Sequence, residues 1–379
     1  MSDPVASYQT IRLALASNEP RAKYLFAEFR KLATVVAELD FDDIDPLTKY
    51  TAAVLSFKRP RPEWYGNYQM HPLIQRRRRR VLQRGLRRSG PHPDALLMWG
   101  SWFHPFKGYG GPALPFFNYV DQSRSLTPVL GEPATSTWGR KRSHQLQTET
   151  YRASSGICCW SKWAHDQTLM SHPIEASKVV VVGWGPCAVD LSSEPIDING
   201  REKLVLHVSN DFRRKGVDFL LETAARLARV DPTVRFVVIG QDSSGLAVAD
   251  TEHVSFLGPI RDRETLSAYF RRAAVFFLPH RFDRSPNVLA EAMSAGLPMV
   301  TSLQGGPMEV VEGQGTGFCE RVGDIDGYTR AIRQLLGDPE LARRMSERSR
   351  ALMLERYNWP VVARRILSFV AGAFGQPAD

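Results

Sequence analysis

The chain has 379 residues, of which 43% are hydrophobic and 23% are charged. That length and balance fit a soluble globular protein of two domains, each long enough to bury its own core, and no apolar run approaches the roughly 18 residues of a membrane span. The net charge of +9 lies wholly in the first half: residues 1–190 carry 25 Lys and Arg against 16 Asp and Glu, whereas residues 191–379 carry 24 against 24.

Four cysteines, Cys158, Cys159, Cys187 and Cys319, show no C-x-x-C spacing and no paired framework, which predicts a reducing, cytoplasmic compartment. The opening MSDPVASYQTIRLALAS has no basic segment followed by an apolar one, so no signal peptide is expected.

In chain order, Ile11 to Ser17 reads as a strand, Arg21 to Lys31 as a helix and Thr34 to Leu39 as a second strand, from periodicity and β-branched content. Asp40 to Met70 shows no clear element. Asp40, Asp42, Asp43 and Asp45 follow a strand and read as a solvated acidic loop, a divalent-ion site being the sharper alternative. Leu73 to Arg88 reads as a basic helix with eight arginines: Arg76, Arg77, Arg78, Arg79, Arg80, Arg84, Arg87 and Arg88. A solvated helix packed on a sheet is the plainer reading. Peripheral contact with an anionic membrane is the sharper one. The run lacks the interleaved aromatics or binding module of a nucleic-acid protein, so no nucleic-acid partner is expected.

Pro93 to Ser101 is a buried strand leading to His104 and a glycine-rich loop with Gly110 and Gly111. This loop could wall a cleft, with His104 where a ligand would pass; a packed or exposed loop histidine is the plainer reading. Phe116 to Val120 is a strand. Residues 135–150 read as polar and irregular, Thr150 to Cys159 as helix into strand, Ser161 to Met170 as a helix and Lys178 to Val182 as a strand. Gly183-Trp184-Gly185-Pro186-Cys187-Ala188 matches a dinucleotide fingerprint, but no helical stripe follows. A turn into a linker, Asp190 to Arg201, fits better.

The second half alternates more cleanly. Strands are expected at 203–208, 234–240, 254–257, 275–279 and 298–302, with helices from Lys215-Gly216 and over 264–273, 286–295, 325–337, 339–357 and 360–374. Strand–helix alternation predicts parallel, doubly wound sheets, an α/β fold. Ser285 is the expected N-cap of the 286–295 helix and Pro286 its first residue. Asp283 and Glu291 lie eight residues apart on this loop and helix. An ordinary capped helix with surface carboxylates is the plainer reading.

Three parts should meet at the carboxyl edge of one sheet: Lys215 with Arg213 and Arg214, the start of the 286–295 helix, and the Gly305-Gly306 turn. Cations and helix-start amides suit a diphosphate, and carboxylates suit sugar or ribose hydroxyls, so a nucleotide-sugar meets both demands. No His/Cys ligand spacing indicates a metal. Asp324 and Asp326 open a helix, where the dipole alone favours them.

These residues resemble the retaining glycosyltransferases of family 4, which have the GT-B fold of two Rossmann-like doubly wound parallel-sheet domains facing a cleft. The likeness covers about residues 149–375 and is faint across 1–148. It is carried by FRRKGVDFLLETA, by PHRFDRSPNVLAEAMSAGLPMVTSLQGGPMEVVEG and by the ending ERYNWPVVARRILSFV. It implies an N-terminal acceptor-binding domain (1–190), a nucleotide-sugar domain (191–360) and a C-terminal helix (361–379) crossing back to the first domain. Lys215 would bind the donor diphosphate, with Arg213, Arg214, Arg284, Ser285 and the amides of Asn287 and Val288 around it. Glu291 would bind ribose, Asp283 the transferred sugar, and Gly258 and Ile260 would lie by the base. His104, Gly110 and Gly111 would lie on the acceptor side.

The likeness implies transfer of a hexosyl unit to a saccharide or lipid-linked acceptor, as in cell-surface polysaccharide synthesis; with no metal-ligand spacing, and with cations and a helix dipole to stabilise the leaving diphosphate, no metal or cofactor is expected. The chain departs from the family in having Asp283 for the first Glu, Arg284 for the following Gly, and Asn210 for an Arg whose charge falls to Arg213 or Arg214. An inactive nucleotide-sugar-binding protein and a nucleotide-sugar epimerase are the alternatives.

Overall fold

Short β-branched and aromatic runs become strands whose two faces are both covered, as parallel sheets require. The computed structural model describes residues 8–56, 68–100, 103–108, 114–122, 137–198, 200–240 and 252–374. The chain divides into two units, Met1–Gly183 with Trp359–Asp379, and Trp184–Asn358.

The first unit contains β1 (Arg12–Ser17), α1 (Ala22–Leu32), β2 (Thr34–Asp40), α2 (Pro46–Ser56), α3 (Pro72–Arg88), β3 (Ala95–Trp99), β4 (Phe116–Val120), α4 (Thr137–Ala153), β5 (Gly156–Cys159), α5 (Lys162–Ser171) and β6 (Val179–Val181). Its six strands lie in the order β2-β1-β3-β4-β5-β6, every neighbouring pair parallel. Ala14, Ala16, Leu96, Met98 and Phe116 from the sheet pack with Leu82 and Leu86 of α3.

The second unit contains β7 (Leu204–Val208), α6 (Val217–Ala228), β8 (Arg235–Ile239), β9 (Val254–Phe256), α7 (Arg263–Arg272), β10 (Val275–Leu278), α8 (Asn287–Ser294), β11 (Met299–Ser302), β12 (Gly317–Glu320), α9 (Ile325–Gly337) and α10 (Pro339–Arg356). Its strand order is β12-β11-β10-β7-β8-β9, again all parallel. The apolar stripe of α6 (Val217, Leu220, Ala224, Leu227) and that of α9 (Tyr328, Ile332, Leu335) join Val205, Phe236, Val238, Phe277 and Val300 in one core. Helix α11 (Trp359–Gly372) belongs to the first unit. Its Phe369 ring lies where a Cβ on Gly156 would be, and Trp359 lies 5.9 Å from Trp99.

Three elements differ from the sequence expectations. Residues 135–150, expected to be irregular, supply most of α4. Its buried stripe is Ser143, Leu146, Gln147, Thr150 and Tyr151, helical in spacing but mostly polar, so hydrophobic periodicity does not reveal it. Helix α2 fills part of the stretch with no expected element. Asp45 opens it, its carboxylate accepting from Thr48 N and Oγ1, both at 2.8 Å. Strand β12 was not expected either, because it begins at Gly317 after a glycine turn.

Candidate functional site

In the second unit the chain runs outward from β7 to β8 on one side and returns to β10 on the other. The order therefore reverses between β7 and β10, and a crevice opens outside the carboxyl ends of such neighbours. Their ladder pairs only Val275 with Val205 and Phe276 with Leu206. Beyond it, His207 spans the gap: its Nδ1 donates to Phe277 O (2.8 Å) and its Nε2 accepts from Ser209 Oγ (2.7 Å). Burial drives His207 down to about 4, so the ring is neutral, and the carbonyl, which only accepts, places the proton on Nδ1.

The loop after β7 is a tight turn around Asp211. The carboxylate accepts from Arg214 N (3.1 Å) and Nε (2.8 Å), and Lys215 N donates to Asp211 O (3.0 Å). Gly216 has φ 73°, and a Cβ there would strike Pro279 O at the end of β10. This close approach brings Lys215 under the neighbouring loop. Lys215 and Asp283 are each 7% exposed, and Lys215 Nζ is paired with Asp283 Oδ2. Arg214 Nη1 stands 3.6 Å from the same oxygen. Burial works against ionising Asp283, but Lys215, His280 and Arg214 outweigh it and hold the carboxyl below its ordinary value. Arg281 braces the two loops, its guanidinium donating to Arg213 O (2.7 Å) and to both carboxylate oxygens of Asp218 (2.7 and 2.6 Å) while lying 3.9 Å over Phe219.

Helix α8 starts beside this pair, with one correction. Pro286, not Ser285, is the N-cap, and no side chain caps the helix. Ser285 Oγ instead donates to Arg284 O at 2.7 Å, because Pro286 is extended (ψ 127°) and turns the serine away from the first helical amides. The start of α8, at Asn287 and Val288, adjoins the Asp283 loop. The expected glycine turn is there too: a Cβ on Gly305 would collide with Asp283 O, and one on Gly306 with Arg284 O.

Glu291 is buried, and its Oε1 accepts from Cys187 N (3.2 Å) and Ala188 N (2.8 Å). Burial raises its pKa, opposed by the amides of Ala188, Cys187 and Val189. Asn287 Nδ2 donates to Gly185 O at 2.7 Å. The segment resembling a dinucleotide fingerprint is therefore an extended strap held on α8, and no helix follows it among the described residues. Gly258 (φ 63°) accepts from Gly240 N at 2.8 Å, closing the carboxyl ends of β8 and β9, and Ile260 follows half-buried. Arg213 is exposed and Arg284 half-buried.

Among the candidates in the first unit, His104 is half-buried, accepts from Phe106 N at 3.1 Å and lies 5.5 Å from the Phe116 ring. Burial, with Lys107 and Arg79 nearby, lowers its pKa. Gly110 and Gly111 lie outside the described residues. The arginine helix is only partly a surface. Arg78 is fully buried, bonding Asp42 (2.8 Å) and the Gln69 side chain. Arg77 pairs with Asp45 at 2.9 Å, and Arg79 donates to Lys107 O at 3.1 Å. The acidic loop thus answers the arginines, and Arg78 drops out of any membrane contact. Asp324 caps α9 by accepting from Gly327 N at 2.8 Å, as its dipole reading implied. Among the described residues no cluster of three or more His, Cys, Asp or Glu could hold a metal. Sequence reasoning missed Asp211, Arg281 and His207. Only the helix-start position of Asp218, opposite Arg281, could have hinted at the brace.

Lys215, the Asp283 loop and the start of α8 therefore converge at one switch point. Residues 189–352 match the family model of the glycosyl transferases group 1. A GDP-mannose-dependent alpha-(1-6)-phosphatidylinositol monomannoside mannosyltransferase of Mycolicibacterium smegmatis is 30% identical over 189 residues, 46% of this chain and 49% of that one. An N-acetyl-alpha-D-glucosaminyl L-malate synthase of Bacillus anthracis is 30% identical over 168 residues, 42% of this chain and 43% of that one. The chain spans about half the length, or less, of the curated relatives it matches. Among solved structures, the alpha,alpha-trehalose 6-phosphate synthase of Burkholderia multivorans superposes with a TM-score of 0.69 at 12% identity, over 97% of this chain and 99% of that one. Anabaena HepE, solved with UDP-glucose, gives 0.63 at 17%, over 96% and 100%. These likenesses show the fold, which is GT-B.

Proposed function

We propose that the second unit binds a nucleotide-sugar and that the protein transfers its hexosyl unit, with retention and without a metal, to a saccharide or lipid-linked acceptor. The observation that carries this is the convergence of Lys215, Arg214, Asp283 and the start of α8 at the β7/β10 switch point. Lys215 and Arg214 would neutralise the diphosphate, with Arg213 and Arg284 at the rim and the amides at Asn287 and Val288 supplying the positive end of the α8 dipole. Such preorganised charge stabilises a departing diphosphate where negative charge develops. Asp283 would turn from Lys215 to a sugar hydroxyl, and Glu291 would share its carboxylate between the strap amides and ribose. Gly258 and Ile260 would flank the base. His104 would stand on the acceptor side.

The relatives' names support this reading, since one uses GDP-mannose and one fold neighbour holds UDP-glucose. The test is a thermal-shift screen of UDP-, GDP- and ADP-sugars followed by assay of nucleotide release. Ligand at about 100 times its Kd should stabilise the protein by about 2.7 kcal/mol. Lys215→Ala should weaken donor binding by roughly 2–4 kcal/mol, as loss of a buried charge partner does. Unchanged affinity would overturn the phosphate assignment. A second reading, a donor-binding protein without transfer, is favoured by the closure of Asp283 on Lys215. It predicts binding without nucleotide release.

A further inference from the structure

Helix α2 is turned inside out. Leu47, Tyr50, Val54 and Leu55 are 73%, 70%, 52% and 57% exposed, and their spacing puts them on one face. Its single charged residue, Lys49, is half-buried. The face toward the protein is thin: Ala52 meets Ile44 and Ile74, with Tyr68 against them. Single exposed apolar side chains are ordinary, but four on one short helix are not.

Ile74 belongs to α3, so α2 and α3 form one two-helix layer. With Arg77, Arg78 and Arg79 bound internally, the exposed arginines of α3 are Arg76, Arg80, Arg84, Arg87 and Arg88. Steps of four, four and three residues align Arg76, Arg80, Arg84 and Arg87 in one stripe, with Leu73, 39% exposed, between them by helical angle.

We propose that the α2–α3 layer docks the protein on an anionic lipid bilayer, Leu47, Tyr50, Val54 and Leu55 entering the interface while Arg76, Arg80, Arg84 and Arg87 meet lipid phosphates. An apolar face beside an exposed basic stripe is the chemistry of interfacial helices. A second copy fits poorly, because an isologous contact would set this basic stripe against its own like charge. The proposal is independent of the donor site in the other unit.

The test is flotation of the full chain with phosphatidylcholine vesicles, with and without one-third phosphatidylglycerol, at low and high salt. Binding is expected to anionic vesicles and to weaken with salt. R80Q/R84Q/R87Q should lower low-salt affinity by roughly two orders of magnitude, since each basic group adds about fivefold. L47S/V54S should remove the binding that survives high salt. Both sets are on exposed positions, and an unchanged thermal midpoint verifies folding. No binding to anionic vesicles, or binding indifferent to both sets of substitutions, overturns the proposal. So does a self-association of the wild type that L47S/V54S abolishes without changing vesicle binding.

Discussion

His207 and Asp283 flank the β7/β10 switch point, one neutral and one ionised, with the same acid sensitivity. Asp283 has its pKa lowered in the folded protein, so its contribution is complete at neutral pH and is lost as pH falls through that lowered value. His207 is held neutral and driven to about 4 by burial. Its ordinary value is near 6.5, so between those two limits the unfolded chain binds the extra proton. The stability it confers is present above about pH 6.5 and is lost as pH falls toward 4, roughly 3 kcal/mol in all. Glu291, whose pKa is raised, acts in the opposite sense, its buried charge costing stability as pH rises through the raised value. Denaturation midpoints measured from pH 7 to pH 4 should therefore fall, and His207→Gln should flatten that slope whatever it does to stability at neutral pH. A slope unchanged by the substitution would show that the ring does not titrate on unfolding.

At the scale of elements, the second unit was more legible in sequence than the first. Its strands are apolar runs and the stripes of α6 and α9 are regular, so alternation alone gives a parallel sheet. The site was legible for the same reason, since Lys215, Asp283 and the glycine turn all follow strand ends. What stayed hidden was the shift of the α8 cap to Pro286 and the hydrogen bonding across loops: the strap on Glu291, and Arg281 reaching Asp218. In the first unit α4 hid because its inner stripe is polar, and α2 because its apolar face points outward. The glycine turn makes a direct test of loop against loop. Gly305 and Gly313 have φ of 68° and 67°, but a Cβ on Gly305 meets Asp283 O whereas one on Gly313 meets nothing within 4 Å. Gly313→Ala should cost only the left-handed penalty of about 1–2 kcal/mol. Gly305→Ala should cost roughly 1–3 kcal/mol more, from the clash and from a backbone (φ 68°, ψ −157°) that glycine alone adopts readily, and should also weaken nucleotide binding, because it displaces the loop that carries Asp283. Equal destabilisation by the two, read from chemical denaturation, would mean that the Asp283 loop yields without resistance.

At the scale of the whole molecule, the chain leaves its first unit at Gly183 and returns at Trp359. The sheet of the first unit therefore depends on the last helix of the chain. Trp359, Val362, Ile366, Leu367 and Val370 of α11 are buried, and Phe369 meets Phe117 at 5.9 Å. At roughly 1.5–3 kcal/mol for each large side chain fully buried, losing this helix removes on the order of 10 kcal/mol, comparable with the entire stability of a domain. The second unit keeps its own core and every residue assigned to the donor. Ending the chain after Asn358 should therefore unfold the first unit and spare the second. Calorimetry of the full chain should show two transitions, of which a nucleoside diphosphate raises one. The shortened chain should retain only the nucleotide-responsive transition. If it kept both, α11 would be dispensable to the first unit, and if nucleotide no longer moved the remaining one, the donor site would need more than residues 184–358.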